Sequence, residues 1–388
     1  MITGLRILLF DANLSTPTLV DDLTTSIQNL RFSTGLHGGF KDCTFSVAST
    51  IGNAWQYLAE AGKTSGRHFY RLVVYEEQSL IWEGRITNVT LALNEGNVGL
   101  RVLALGYWSS LRDQYYSDDD AGHTDWTSGS HTADDIIKEM LTEVCPSINA
   151  DQSNVAANTR DIAGINLSSR SYPQDVIISQ LAPISDSDNK IFHFAIWDDR
   201  KAYWTARSIA TLDYRIRLES TANLELTQSS MQMRNAITPL VGSSEGTVVT
   251  NATSLTFYPR REMLFDLPTG STSSTQADAA TTLAEERGYA SQVQQFVISG
   301  RLYKSATGDA GSDLVEVPKW RVRAGETIRI DDLVPQTIAS PEFDRLRTFH
   351  IMQTMYDTET DNLTIYPDTT PRTIGSILSQ FGEIEAPR

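Results

Sequence analysis

The stretch Arg71–Tyr116, RLVVYEEQSLIWEGRITNVTLALNEGNVGLRVLALGYWSSLRDQYY, decides how the chain is read. It holds apolar runs separated by short turns. Leu72, Val73, Val74 and Tyr75 lead into Glu76-Glu77-Gln78-Ser79, and Leu80, Ile81 and Trp82 return. Gly84 then breaks the run. Beyond it Val89, Leu91 and Leu93 alternate with Thr90 and Ala92, the period of a half-buried strand. After Asn94-Glu95-Gly96-Asn97, Leu100, Val102 and Ala104 alternate on the way back. Period-two runs joined by Gly/Asn turns predict consecutive hairpins, and therefore an antiparallel meander.

Upstream, Leu5–Phe10, Leu23–Phe32 and Asp42–Ala48 read as strands, the last with Cys43, Phe45 and Val47 on one face. Ala54–Ala61 reads as a short helix or a loop. A small barrel, closed or nearly so, is the economical way to remove the edges of such a sheet. Composition shifts at Ser117 into the acidic loop Ser117–His123. A helix follows, with Thr132 as its cap, Asp134 and Asp135 in its first turn and an apolar stripe of Ile136, Ile137, Met140, Leu141 and Val144. Asn149–Asn166 reads as loop, Pro173 opens a second helix, and Ile191–Trp197 with Lys201–Ala206 form a hairpin around Asp198-Asp199-Arg200.

Strands resume at Tyr214, with Arg234–Val241, Thr247–Thr250 and Ser254–Tyr258 among them. Pro268–Thr275 reads as loop and Ala277–Phe296 as helix, with a break at Gly288 allowed. Val317–Val322, Thr327–Ile330, Thr348–Tyr356 and Leu363–Tyr366 read as strands. A tail follows, with a short helix at Ile374–Phe381. The fold class expected is β-rich α+β: two small antiparallel β-barrels with an α+β insert and helical segments between them. The boundaries are 1–116 for the first barrel, 117–212 for the insert, and 213–267 for strands of the second barrel. Residues 268–312 form a helical and loop segment, 313–368 the remaining strands of the second barrel, and 369–388 a C-terminal extension.

A chain of 388 residues exceeds one ordinary core, so about two to four domains are expected. No run approaches the roughly 18 apolar residues that cross a bilayer. The start, Met-Ile-Thr-Gly-Leu-Arg-Ile-Leu-Leu-Phe, lacks a basic segment and a small-residue cleavage site, so synthesis in a cytoplasm is expected. Cys43 and Cys145 are far apart in sequence and read as buried free thiols. The formal net charge of −16, without a basic cluster, argues against nucleic-acid binding as the main work.

Signals for chemistry yield to plainer readings. Gly242-Ser243-Ser244-Glu245-Gly246 matches the G-x-S-x-G nucleophile elbow, but Thr247-Val248-Val249-Thr250 after it favours a strand where the elbow needs a helix. The histidines, His37, His68, His123, His131, His193 and His350, show no metal spacing; His123 and His131, near Asp118, Asp119, Asp120 and Asp125, read as a solvated loop. The pairs Asp21-Asp22, Asp134-Asp135, Asp198-Asp199 and Asp331-Asp332 fit turn and helix-start chemistry better than the carboxylate pair of a glycosidase, which needs about 5 to 10 Å of separation. Trp82, Trp108, Trp204, Trp320, Tyr107, Tyr115 and Tyr116 read as core or subunit contact rather than a sugar platform. No catalytic, cofactor-binding or metal-ligating residue is assigned, and no cofactor.

Four motifs in order carry a resemblance. They are Leu80-Ile81-Trp82-Glu83-Gly84-Arg85-Ile86, Ala104-Leu105-Gly106-Tyr107-Trp108, Met233-Arg234-Asn235-Ala236-Ile237 and Pro318-Lys319-Trp320-Arg321-Val322-Arg323-Ala324-Gly325-Glu326. Together they resemble the baseplate-hub family at the tail tip of long-tailed bacteriophages. The resemblance implies a structural, non-enzymatic virion protein: a homotrimer whose two barrels per subunit make a pseudo-sixfold ring. Such a ring adapts a hexameric tail tube or distal tail protein to threefold tip and fibre proteins. It also neighbours the tape measure protein and lets DNA pass without specific binding. Hubs often carry a C-terminal extension or lysin domain, whereas this sequence runs only a short way past the second barrel, so wall-degrading activity is expected on another chain. The alternative is a phage-associated cell-wall hydrolase or a carbohydrate-binding module on a β-rich scaffold.

Overall fold

Strand pairing organises the chain. The computed structural model describes residues 4–12, 16–48, 70–94, 97–120, 122–126, 131–158, 167, 170–182, 192–206, 213–228, 231, 233–267, 273–289, 291–293, 295–305, 314–334, 337 and 346–368. The first part supplies β1 (Leu5–Phe10), β2 (Leu19–Asp22), β3 (Ile27–Gly35), β4 (Gly38–Ala48), β5 (Arg71–Glu76), β6 (Ser79–Asn94) and β7 (Asn97–Leu105). They pair antiparallel in the order β2-β1-β5-β6-β7-β4-β3.

The meander is present, but as three strands. Gly84 does not break the run: β6 passes straight through it, and a β-bulge falls later, between Ile86 and Asn88. Glycine is required there for closeness, since a Cβ would lie 2.3 Å from the Leu105 carbonyl oxygen and 2.5 Å from the Trp82 ring. The expected strand Leu23–Phe32 is also redrawn. Asp22 accepts from the Thr24 amide and hydroxyl, making Leu23–Ser26 a turn between β2 and β3. The Ala54–Ala61 segment lies outside the described residues.

A 3-10 turn, Tyr107–Arg112, leads to α1 (Ala133–Val144), α2 (Pro173–Val176) with a π turn to Leu181, β8 (Phe192–Trp197) and β9 (Lys201–Ala206). The α1 stripe is buried as its spacing predicts, in a cluster with Trp126, Leu181, Phe194 and Trp204. Thr132 occupies the cap position, but its hydroxyl donates to Asp134 and Asp135 instead of serving a backbone amide. A short parallel bridge, Gly38 with Ala195 and Gly39 with Ile196, ties β8 to β4.

The chain continues with β10 (Tyr214–Arg217), β11 (Thr221–Ala222), β12 (Leu226–Gln228), β13 (Ala236–Val241), β14 (Ser244–Glu245), β15 (Val249–Thr250), α3 (Ala252–Phe257), β16 (Glu262–Leu267) and α4 (Ser273–Arg287). It ends with β17 (Ser291–Val293), β18 (Phe296–Ile298), β19 (Leu302–Ser305), β20 (Leu314–Val317), β21 (Thr327–Asp331), β22 (Thr348–Asp357) and β23 (Asn362–Pro367). Three expectations change here. Ser254–Phe257 belongs to helix α3, with Tyr258 following its end, because the Asn251 side chain caps the helix by accepting from the Ser254 amide. The helix expected over Ala277–Phe296 starts earlier, at Ser273, and stops before Gly288, after which β17 and β18 follow. Val317–Val322 is not a strand: Pro318 ends β20 and starts a 3-10 turn, Lys319–Arg321.

Segment 213–267, expected to supply strands of the second barrel, divides. Strands β10 and β11 enter the large sheet, whereas β13–β16 form a four-stranded sheet of their own. Strands β12 and β17 pair as a two-stranded ribbon. The large sheet has 17 strands and is mostly antiparallel, with parallel steps at β10–β21 and β4–β8. Strand β22 joins its halves by pairing with β3. Among the described residues the ladder branches without returning to its start, so no closed barrel is formed by strand pairing. One apolar cluster runs under both halves, from Leu9, Phe45 and Trp82 to Phe296, Phe349 and Ile365. The chain is β-rich, with large, mostly antiparallel sheets and few helices. Among the described residues no helix is long and apolar enough to cross a membrane. The Ile374–Phe381 helix expected in the tail lies outside the described residues.

Candidate functional site

The residues that raised chemical readings do not converge. Gly242 and Ser243 form the turn between β13 and β14, and Ser244 is exposed on a strand paired to Val241. A strand therefore turns into a strand, and no elbow is built. His123 stacks on Tyr116 with ring centroids 4.8 Å apart, while His131 meets Trp126 edge-on at 4.7 Å. Each histidine is tied to its own aromatic ring. Glu139 pins this loop by accepting from the Thr124 amide at 2.8 Å and from the Tyr116 hydroxyl. Burial pushes its carboxyl up, but the hydrogen bonds from Thr124 and Tyr116 outweigh this and hold it below the ordinary glutamate value.

At least one member of each acid pair meets a basic side chain, one turn away for Asp134 and more than a hundred residues away for Asp198 and Asp331. Asp22 meets Arg6, Asp134 meets Lys138, Asp198 meets Arg323, and Asp331 meets Arg215. Among the described residues no group of three His, Cys, Asp or Glu side chains gathers as a metal site. Trp82 and Trp204 are fully buried and Trp108 lies under the Lys41 ammonium at 3.6 Å. Tyr115 differs: it is half exposed and stacks on Tyr172 at 4.2 Å.

The most distinctive chemistry is a seam of charge where the hairpin β8–β9 meets the large sheet. Glu83, on β6, is 1% exposed. Its Oε2 accepts from Arg71 Nε at 3.1 Å and from Arg71 Nη2 at 2.7 Å, and its Oε1 accepts from the Arg200 amide at 2.6 Å. Burial raises the Glu83 pKa above the ordinary value, with Arg71 and the Arg200 amide opposing. Alongside, both Arg323 Nη atoms reach Asp198, at 2.9 and 3.1 Å, and Nη2 also donates to the Leu80 carbonyl at 2.7 Å. The Arg323 guanidinium also lies over Phe40 and Trp197. Arg321 pairs with Glu76, and Arg85 makes a two-pronged contact with Asp113.

This seam grips a strained turn. Asp199 and Arg200 both adopt positive φ, 58° and 60°, which costs about 1 kcal/mol or more for each non-glycine residue. Such conformations persist where surrounding bonds over-determine them. The Glu83 carboxylate accepts from Arg71 and from a backbone amide, so its role is to mount one part of the chain on another. Sequence reading passed over it. The signal was available: Glu83 and Arg85 interrupt Leu-Ile-Trp-x-Gly-x-Ile in a strand buried on both faces, where a charge persists only with a partner.

No family model matches the sequence, and no curated protein matches it. The fold is similar to the 43 kDa tail protein of prophage MuSo2 from Shewanella oneidensis, with TM-score 0.57 and 11% identity over 95% of this chain and 100% of that one. It is also similar to the tail protein from Neisseria meningitidis MC58, with TM-score 0.56 and 10% identity over 94% of this chain and 95% of that one. At such identities the likeness is one of fold, and it extends across nearly the whole length of all three chains.

Proposed function

We propose that the chain is a structural component of a phage tail, and more narrowly the hub of a tail tip or baseplate. The observation that carries this reading is the fold likeness to two tail proteins over nearly the whole chain. In the narrower form, residues 1–116 make one small barrel, 117–212 an α+β insert, and strands from the rest a second barrel. The strand order supports two such units. In the run β2-β1-β5-β6-β7-β4-β3 the end strands are joined by the turn Leu23–Ser26. In the run β10-β21-β22-β23-β18-β11 they are joined by Leu218–Ser220. Each run is thus brought back toward its own start by a few residues of chain.

Three copies, each with two like units, present six similar faces to a hexameric distal tail or tube protein and threefold symmetry to tip and fibre proteins. A net charge of −16 lets DNA pass by repulsion instead of binding. The role is architectural, with no reaction assigned, and its place is the virion tail tip beside the tape measure protein. Native mass combined with negative-stain imaging tests this. A ring of three, or one formed on adding the distal tail protein, is expected. A chain that stays monomeric alone and with that partner overturns the hub reading.

A further inference from the structure

One aromatic ring of the insert is held rigidly and yet left open. Tyr116 and Ser171 exchange backbone hydrogen bonds, the Tyr116 amide donating at 2.8 Å and the Ser171 amide at 3.0 Å. Tyr115, one residue before Tyr116, and Tyr172, one residue after Ser171, therefore stand opposite each other in the closer type of antiparallel pair. Their rings stack with centroids 4.2 Å apart and planes inclined by 23°, and the Tyr172 hydroxyl donates to the Tyr115 hydroxyl at 2.8 Å. Tyr172 thus covers one face of Tyr115 and fixes the ring. Tyr115 is still 51% exposed, so its other face is open to solvent.

Hydrogen-bonding groups flank this stack. Arg112, at the end of the 3-10 turn, lies 6.0 Å from the Tyr172 ring centre, and its Nη2 donates to Asp175 at 2.6 Å. Helix α2, which carries Asp175, packs on that 3-10 turn. Both side chains of the pair remain partly exposed, Arg112 at 32% and Asp175 at 47%. The guanidinium offers donors and the carboxylate acceptors, side by side at the edge of an aromatic platform.

Size and charge select the ligand. Among the described residues from Tyr107 to Ala206, Tyr115 is the only large apolar side chain that is exposed. A protein partner anchors on a buried core of several such groups, whereas this platform is one ring wide. A nucleotide would also stack, but the charges here give its phosphate little hold. Arg112 is paired with Asp175, and Arg85 with Asp113. The exposed Arg170, two residues before Tyr172, adds a single positive charge in a chain of net charge −16. A sugar ring meets both halves of the site. Its C–H face lies against the aromatic face, whose quadrupole is negative there. Its hydroxyls accept from a guanidinium and donate to a carboxylate.

We infer that Tyr115, backed by Tyr172 and flanked by Arg112 and Asp175, binds one ring of a neutral glycan. The assembly reading above does not require this contact, and the two stand or fall separately.

Saturation-transfer NMR and calorimetry on the full-length chain test it, with neutral tetrasaccharides of glucose, galactose, mannose and N-acetylglucosamine as probes. At least one is expected to bind with Kd on the order of 1 mM, the scale of a single-ring contact. Tyr115→Ala is expected to weaken that binding by about 10-fold, with the circular dichroism spectrum unchanged. Tyr115→Phe keeps the ring and is expected to bind as wild type does, whereas Asp175→Asn, which loses the charged acceptor, binds less tightly. Amide exchange of the wild type over residues 112–116 and 170–176 is expected to slow when the sugar is added, which needs no variant. Failure of all four probes to bind at about 20 mM overturns the site. A probe bound equally by wild type and Tyr115→Ala, or one that slows exchange only elsewhere, overturns it too. Loss of self-association or of binding to a distal tail protein by Tyr115→Ala, with sugar binding unchanged, also overturns it by giving the ring to a protein contact. The native mass of the wild type, by which the assembly reading is judged, is independent of each of these results.

Discussion

Glu83 and Arg200 are joined across 117 residues of chain, the Arg200 amide donating to Glu83 Oε1 at 2.6 Å while Arg71 holds the other oxygen. That bond anchors the turn of the β8–β9 hairpin to the middle of the large sheet. It also brings a carboxylate into a place where only complete pairing makes an ionised group tolerable.

Replacing Glu83 with alanine is expected to lower the unfolding free energy by about 3–5 kcal/mol, because the buried Arg71 then keeps only the more distant, exposed Asp199 at 3.7 Å as a countercharge. The double variant Glu83→Leu, Arg71→Met removes both charges and is expected to recover most of that loss. Urea unfolding of the three proteins measures it. A single variant within about 1 kcal/mol of wild type contradicts the view of the seam as a structural mount.

Glu326 makes stability depend on pH. Burial, opposed by the Arg323 amide and reinforced by repulsion from Asp213, pushes its carboxyl up to about 7. Unfolded, it titrates near the ordinary value of 4.5. Between those values the folded chain binds the extra proton, so this group's contribution to stability declines as pH rises from 4.5 to about 7. Glu326→Gln mimics the protonated form: its oxygen can take the Oε2 place that accepts from the Arg323 amide, while its NH2, in the Oε1 place, can donate to the Tyr214 hydroxyl oxygen. The stability of Glu326→Gln relative to wild type is expected to rise by about 3 kcal/mol across this window. Paired urea titrations at its two ends read the difference, and a flat difference rules out the shift.

Where period-two alternation faced a single buried side, sequence and structure agree. Phe45 and Val47 on β4, and Leu363 and Ile365 on β23, point inward as their spacing predicts. Agreement fails where one side-chain bond outweighs propensity. Asn251 turns β-branched residues into the helix α3, and Asp22 turns Leu23–Ser26 away from the ladder. Gly84 misleads for another reason: its missing Cβ serves the approach of the Leu105 carbonyl, a long-range demand that local pattern does not encode. The charged seam was half legible. Glu83 and Arg85 stand out in their apolar run, but their partners Arg71, Arg200 and Asp113 are known only once β5, β8–β9 and the turn after β7 are brought together.

Gly39 and Gly242 separate two demands on glycine. Both have positive φ, +79° and +61°. A Cβ on Gly39 would lie 2.2 Å from the Ile196 carbonyl oxygen, whereas one on Gly242 would meet nothing within 4 Å. Gly242→Ala therefore carries only the backbone strain, about 1–2 kcal/mol. Gly39→Ala adds a clash with backbone at the β4–β8 bridge and is expected to lose more than about 3 kcal/mol, as read from thermal and urea unfolding. Equal losses at the two sites contradict the close packing of β8 on β4.

The cysteines report on both clusters from the inside. Cys43 is buried in the large-sheet core and Cys145 in the cluster around α1. Burial pushes the Cys145 thiol up to about 12, with the nearby Asp113 charge adding to it, and burial raises the Cys43 thiol well above its ordinary value. Since the thiolate is the nucleophile, neither side chain is expected to react with a thiol reagent at pH 8 in the folded protein, while both react in urea. Labelling at intermediate urea then distinguishes the two clusters. If the seam of Glu83 and Arg323 couples them, both thiols become reactive in one transition; Glu83→Ala is expected to split it, exposing Cys145 at lower urea than Cys43. Coincident labelling in that variant means that the two clusters unfold together by some other connection, such as the β4–β8 bridge at Gly39.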